Sequence, residues 1–194
     1  IEGLSYVRNN PVVILILLST LVNGLLGRSF IELLPAVSGL LLMGGASELA
    51  WLTAAAGTGA VLGGLLMSRQ AAHVIGLYRL ILVALLGATL LLATLNWLDA
   101  LISLAVVVGL ITFTTTIAGT GCQALTQLLI DPNYHGRVMS LWSMTMMASP
   151  ALGAATNGAL AEWAGFVTTF AVASALGVLA VLALYAVSYT HLRA

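Results

Sequence analysis

Long apolar runs separated by short polar breaks leave this chain few possible folds. Six of them cover about residues 12–36, 48–68, 77–96, 101–129, 139–161 and 166–187. A helix needs about 20 apolar residues to cross a bilayer, so each run is a candidate span. The fourth is long enough to tilt or to extend past the membrane. The runs are continuous and rich in Leu and Ala, not short and alternating as barrel strands would be. The expected class is an all-α integral membrane protein, with a six-helix transmembrane domain over 12–187 and a cytoplasmic interfacial lead-in over 1–11. Pro11 suits the first turn of the following helix.

Charge excludes the soluble alternatives. Only 6% of the 194 residues are charged, against about 25% in a soluble domain. A chain this poor in charge cannot cover a water-facing surface, so the bilayer is its expected partner. Six Arg and no Lys balance six acids, and without a basic patch nucleic acid is not an expected partner. Cys122 stands alone, and His73 and His135 have no ligand partner at metal spacing. No metal, cofactor or intramolecular disulfide is therefore expected. The chain opens on Ile1 with no signal peptide ahead of the first run, which reads as a piece of a longer frame. Residues 187–194, ending Tyr189-Thr190-His191-Leu192-Arg193-Ala194, resemble a translated sequencing-adaptor tail and are expected to be non-native.

The charges also give a topology. With six spans, Arg8, Arg69, Arg79 and Arg137 fall on one side of the membrane, and Glu48, Asp99 and Glu162 fall on the other. The positive-inside rule makes the Arg side cytoplasmic, with both chain ends there. Trp51, Trp97 and Trp163 then sit at outer ends, and Tyr6, Tyr78, Tyr134 and Trp142 at inner ends, as an aromatic belt requires.

Polar residues inside the spans are the candidate site. The first run holds Asn23, Arg28 and Glu32, the last two sharing a face at i, i+4. Charges in a membrane are costly and tend to be paired or to face water. The pair is thus either a substrate or proton site or a structural ion pair. Residues 36–47, with Gly39, Gly44 and Gly45, read as an outer loop. The second run stacks Ala56, Ala60 and Gly64, and beside them Ala55, Gly59 and Gly63, in rows that let helices approach closely. The fourth run places Thr112, Thr116, Gly119, Thr120, Gln123, Thr126 and Gln127 within about 120° of its surface. That face either lines a cavity or bonds a neighbouring helix. The fifth run carries Met144, Met146 and Met147, then Pro150, expected to kink it, and Asn157. The third and sixth runs have no polar face and are expected at the periphery.

Four stretches carry a family resemblance: Gly3-Leu4-x-Tyr6-Val7-Arg8-x-x-Pro11, Gly27-Arg28-x-x-x-Glu32-Leu33-Leu34-Pro35, Ala54-Ala55-Ala56-Gly57-x-Gly59-Ala60-x-x-Gly63 and Gly136-Arg137-Val138-Met139-Ser140-Leu141. Together they resemble the C-terminal half of a major facilitator superfamily transporter of the enterobactin-exporter-like efflux branch. The resemblance implies half of a twelve-helix fold, with a missing N-terminal six-helix half as partner. It further implies proton-driven efflux of a small molecule such as a siderophore, drug or metabolite, from a bacterial cytoplasmic membrane, by alternating access. Glu32 is then the titratable candidate. Arg69, Asp131, Gly136 and Arg137 are candidates for a cytoplasmic gate. The family's Gly-x-Leu-x-Asp-Arg loop is altered here, because Ser68 replaces the acid before Arg69.

Other classes fit less well. An intramembrane serine protease needs a Gly-x-Ser-Gly-like nucleophile and a histidine within a span, and this sequence has neither. An ABC-type permease needs long cytoplasmic coupling helices, whereas the inner loops here are about ten residues or fewer. The remaining alternative is a non-transporting membrane scaffold or receptor subunit, which would have no need of the polar face on the fourth run.

Overall fold

The computed structural model describes residues 2–43, 45–70 and 73–191. Ile1, Gly44 and the tail residues Leu192, Arg193 and Ala194 lie outside the described residues, as do Ala71 and Ala72. The described chain is helical throughout its ordered elements: α1 (Glu2–Asn9), α2 (Pro11–Val22), a π-helical segment (Asn23–Arg28), α3 (Ser29–Glu32), α4 (Leu34–Leu41), α5 (Ala46–Ser68), α6 (Val74–Thr94), α7 (Leu101–Leu129), α8 (His135–Ala164) and α9 (Phe166–His191).

Local chemistry sets the boundaries. Asn10 caps α2, its side chain accepting from the Val13 N–H at 3.4 Å, and Pro11 takes the first helical position. Glu48 reaches back to accept from the Gly45 N–H at 2.7 Å, closing the first turn of α5. Gly165, at φ 83°, makes the sharp turn from α8 to α9 that a side chain would strain. The first apolar run does not end at Pro35. It breaks at Leu33, whose N–H donates to Phe30 O at 3.1 Å in a tightened turn, and Pro35 then sits in the first turn of α4. A helix, and not a loop, therefore fills 34–41. Pro35 has no N–H to give to the preceding turn but serves well in the first turn of a new one.

Among the described residues, Pro11–Glu32, Ala46–Ser68, Val74–Trp97, Leu101–Leu129 and Phe166–Tyr189 are long and apolar enough to cross a membrane. With 30 residues α8 has the length as well, but Ser140, Ser143, Thr145, Ser149, Thr156 and Asn157 make it less apolar. An all-helical membrane bundle is the architecture that the apolar runs required, since only helices and closed barrels satisfy their backbones in lipid.

Contacts give the register. Gly59 and Gly63 of α5 lie against Gly109 and Phe113 of α7, so these two run parallel. Gly24 faces Ser149, and Gly153 faces Leu25 and Ser29, so α8 runs parallel to the first span. Ile81 meets Gly121 and Thr114 meets Gly87, so α6 opposes α7. Arg8, Arg69, Arg79 and Arg137 therefore gather at one end of the bundle, and Glu48, Asp99 and Glu162 at the other.

Two large apolar clusters fill the core, and a smaller one of Val13, Ile130 and Val138 lies under Tyr6 and Tyr134. One of the large clusters, toward the Arg end, joins α2, α6, α7 and α9 through Ile16, Ile81, Leu85, Cys122 and Leu184. The other, toward the acid end, joins α3–α7 and α9 through Phe30, Leu52, Leu92, Leu104, Ile111 and Phe170. Between them lies a waist of small and polar residues.

Candidate functional site

The waist is built around the π segment. Asn23 lies about 18 Å along the first span at 1.5 Å per residue, near mid-membrane for a core about 30 Å thick. Its Nδ2 donates to the Thr115 carbonyl of α7 at 3.1 Å. Its Oδ1, on a side chain only 1% exposed, has no partner among the described residues. A π turn widens the helix and leaves carbonyls out of the regular ladder. Here Leu25 O accepts from Ser29 Oγ at 2.7 Å and, in a longer contact of 3.5 Å, from Asn157 Nδ2 of α8. Asn157 Nδ2 also donates to Ser29 Oγ at 3.2 Å.

Across this joint α8 carries a proline within a continuous helix. Pro150 is buried within the helix and has no N–H to give the Met146 carbonyl. The two helices touch almost backbone to backbone. A Cβ on Gly24 would overlap the Ser149 side chain, and one on Gly153 would strike Leu25 O and lie 2.7 Å from Ser29 Cβ. Sequence reasoning missed the π segment. The available signal was Asn23-Gly24 with Gly27 three residues on, a polar and unbranched stretch in an otherwise Leu-rich span.

Arg28 and Glu32 follow at the acid-end side. Both are exposed, and neither side chain makes a hydrogen bond or ion pair among the described residues. They line an open cavity of about 350 Å³ with Met146, Met147, Pro150 and Ala151. The structure thus brings together five of the residues singled out in sequence: Arg28, Glu32, Met146, Met147 and Pro150.

The polar face of α7 divides in two. Thr112 is buried and returns its hydroxyl to Val108 O at 2.8 Å and Gly109 O at 3.0 Å. Thr120 and Thr126 likewise bond their own helix, at 2.7 Å to Thr116 O and to Cys122 O. Thr116 and Gln123 are half-buried and Gln127 is exposed, and no side-chain bond ties them to another described residue. On α5 the contact with α7 uses the row Ala55, Gly59 and Gly63. Ala56 is 7% exposed and belongs to the acid-end core, Ala60 is half-buried, and a Cβ on Gly64 would meet open space.

At the Arg end, Arg69 caps α5 and is exposed, with Ser68 Oγ turned back to Leu65 O at 2.9 Å. Asp131 Oδ1 accepts from the Asn133 N–H at 2.8 Å, shaping the turn before α8. Gly136 and Arg137 lie exposed in the first turn of α8. The lead-in clasps this loop: Tyr6 stacks on Tyr134 with centroids 4.5 Å apart, and its hydroxyl accepts from the Asp131 N–H at 3.3 Å. Sequence alone did not pair these two, because 125 residues separate Tyr6 from Asp131.

A membrane bundle with an interrupted helix at mid-depth, and charges there that no described residue pairs, has the form of a transport protein. The family model described as Major Facilitator Superfamily matches residues 12–193, and the chain belongs to that family. Its members are transporters, not enzymes, and the protein is a membrane transporter with the lipid bilayer and a small-molecule substrate as its partners. No curated protein and no solved structure matches the chain.

Proposed function

We propose that the chain is one six-helix half of a twelve-helix exporter that expels a siderophore, drug or other metabolite by alternating access. The proton gradient drives it, and its Arg end faces the cytoplasm of a bacterium. The observation that carries this reading is the pair Arg28 and Glu32, exposed and unpaired on a cavity beyond the π segment. Charged groups in a span are tolerated where they face water or a substrate, and they mark ion pathways. Broken helices at the midplane are where transporters of this kind bind. Irregular backbone at that depth is tolerated only where protein covers it or water reaches it. Glu32 takes up a proton from the outer side, and Arg28 lines the same cavity. The Met146 and Met147 side chains give the cavity an adaptable apolar wall for the body of the substrate.

The test is transport by the full-length protein in inverted vesicles, with a catecholate chelator and a cationic dye as probes. Glu32→Gln keeps the shape and removes the proton acceptor. Proton-driven transport is expected to fall tenfold or more, while substrate exchange without a gradient persists. Undiminished gradient-driven transport by Glu32→Gln would remove Glu32 from the coupling step.

A further inference from the structure

The Arg end carries a second cleft, away from the cavity described above. It lies between α6 and α9, holds about 300 Å³, and is lined on α6 by Ile75, Arg79, Leu82 and Val83 and on α9 by Tyr185. Ser188 and Tyr189 complete its rim, within the stretch of adaptor-like sequence, while α6 and Tyr185 form its body. We propose that this cleft binds the headgroup of an anionic phospholipid, with an acyl chain laid along Leu82 and Val83.

Three observations support the site. First, Arg79 is exposed, and among the described residues its guanidinium has no hydrogen-bond or ion-pair partner. The Tyr185 hydroxyl also has none, whereas that of Tyr78, deeper in the cleft, is engaged by Ser19 Oγ at 3.3 Å. A guanidinium fork and a phenol present donors to a phosphodiester, and Arg matches phosphate oxygens in a bidentate way. Second, among the described residues no carboxylate lines the cleft. It is a net cationic site, so a headgroup with its own ammonium gains nothing there. Third, the depth fits. Arg79 is five residues into α6, about 7.5 Å from its start, near enough to the membrane surface for its long side chain to reach headgroup level. Beyond it Val83 is 68% exposed and Leu82 forms the inner wall, an apolar track toward the bilayer centre. Basic pockets between membrane helices are where anionic headgroups settle.

The experiment is native mass spectrometry of the full-length protein released from detergent, with dioleoyl phosphatidylglycerol, dioleoyl phosphatidylethanolamine and inorganic phosphate offered separately and in competition. The expected result is retention of phosphatidylglycerol over phosphatidylethanolamine. Arg79→Gln should weaken it about fivefold, the scale of one Arg at a membrane surface. Arg69→Gln, at the same end but outside the cleft, should leave retention unchanged. Val83→Trp, a lipid-facing change that fills the apolar track, should also lower retention. Equal retention of the two lipids would overturn the proposal, as would full retention by both Arg79→Gln and Val83→Trp. Displacement by millimolar inorganic phosphate would assign the site to free phosphate and overturn the lipid reading.

Discussion

The pair α6–α9 and the pair formed by the first span and α8 occupy opposite roles in one bundle. The first two helices run unbroken for 21 and 26 residues and present Leu and Val outward, as at Val83, Leu90, Leu179 and Leu182. In the second pair the first span is broken by the π segment and by the turn at Leu33, α8 carries Pro150 within a continuous helix, and Asn23 and Ser149 are buried while Asn157 is half-buried. The difference teaches where a membrane protein can depart from regular helix. A carbonyl freed in lipid has no water to bond, so it must find a partner within the protein. Leu25 O finds two, Ser29 and Asn157, because α8 lies against it. Nothing on the lipid side of α6 or α9 could have supplied them.

The contrast can be broken most severely at the glycine contacts. Gly24→Leu or Gly153→Leu would drive a side chain into Ser149 or into the backbone of the π segment. We expect a loss of about 3 kcal/mol or more in thermal unfolding. Gly57→Leu and Gly64→Leu, where a Cβ meets open space, should stay near wild type. A similar penalty at all four positions would mean that the close approach of α8 to the first span is not what holds the bundle together. Next in size is the triple change Thr116→Leu, Gln123→Leu, Gln127→Leu on α7. It should cut export about tenfold by the transition-state arithmetic of about 1.4 kcal/mol, with unfolding unchanged. Unaltered export would remove this face from the pathway. Asn157→Leu takes away the side chain that ties α8 to the π segment and should cost about 0.6–1.7 kcal/mol, the range for hydrogen bonds between membrane helices. At the Arg end, Tyr6→Ala removes a stacked ring and should cost about 0.5–1.5 kcal/mol, read as faster proteolysis of the 130–135 turn. Smallest of all, Leu90→Ala or Leu179→Ala on the lipid face should stay within about 0.5 kcal/mol. A larger effect there would show that α6 and α9 are covered by protein.

Much of this was legible in the residues themselves. The apolar runs gave α5, α6, α7 and α9 to within a few residues, because a membrane helix is specified locally by its length and hydrocarbon content. The gathering of Arg8, Arg69, Arg79 and Arg137 at one end followed from counting spans. The stretches around Gly27-Arg28 and Gly136-Arg137 suggested the family to which the chain belongs. Less could be read inside the first run, where a uniform apolar pattern hides the change from α to π turns.

What the sequence determined alone is therefore the class of the protein, its long unbroken helices and the end at which Arg8, Arg69, Arg79 and Arg137 lie. Each follows from transfer free energies of single residues and short segments, which need no partner to be evaluated. Tertiary structure alone decided which polar residues are used and how. Thr112 bonds its own helix, Asn23 reaches across to Thr115, and Arg28 and Glu32, well placed to pair, stand apart on a shared cavity. It also chose Ala55, Gly59 and Gly63 over the adjacent row for contact with α7. Those choices depend on which helix stands opposite and at what distance, and such distances are fixed only when the whole bundle packs.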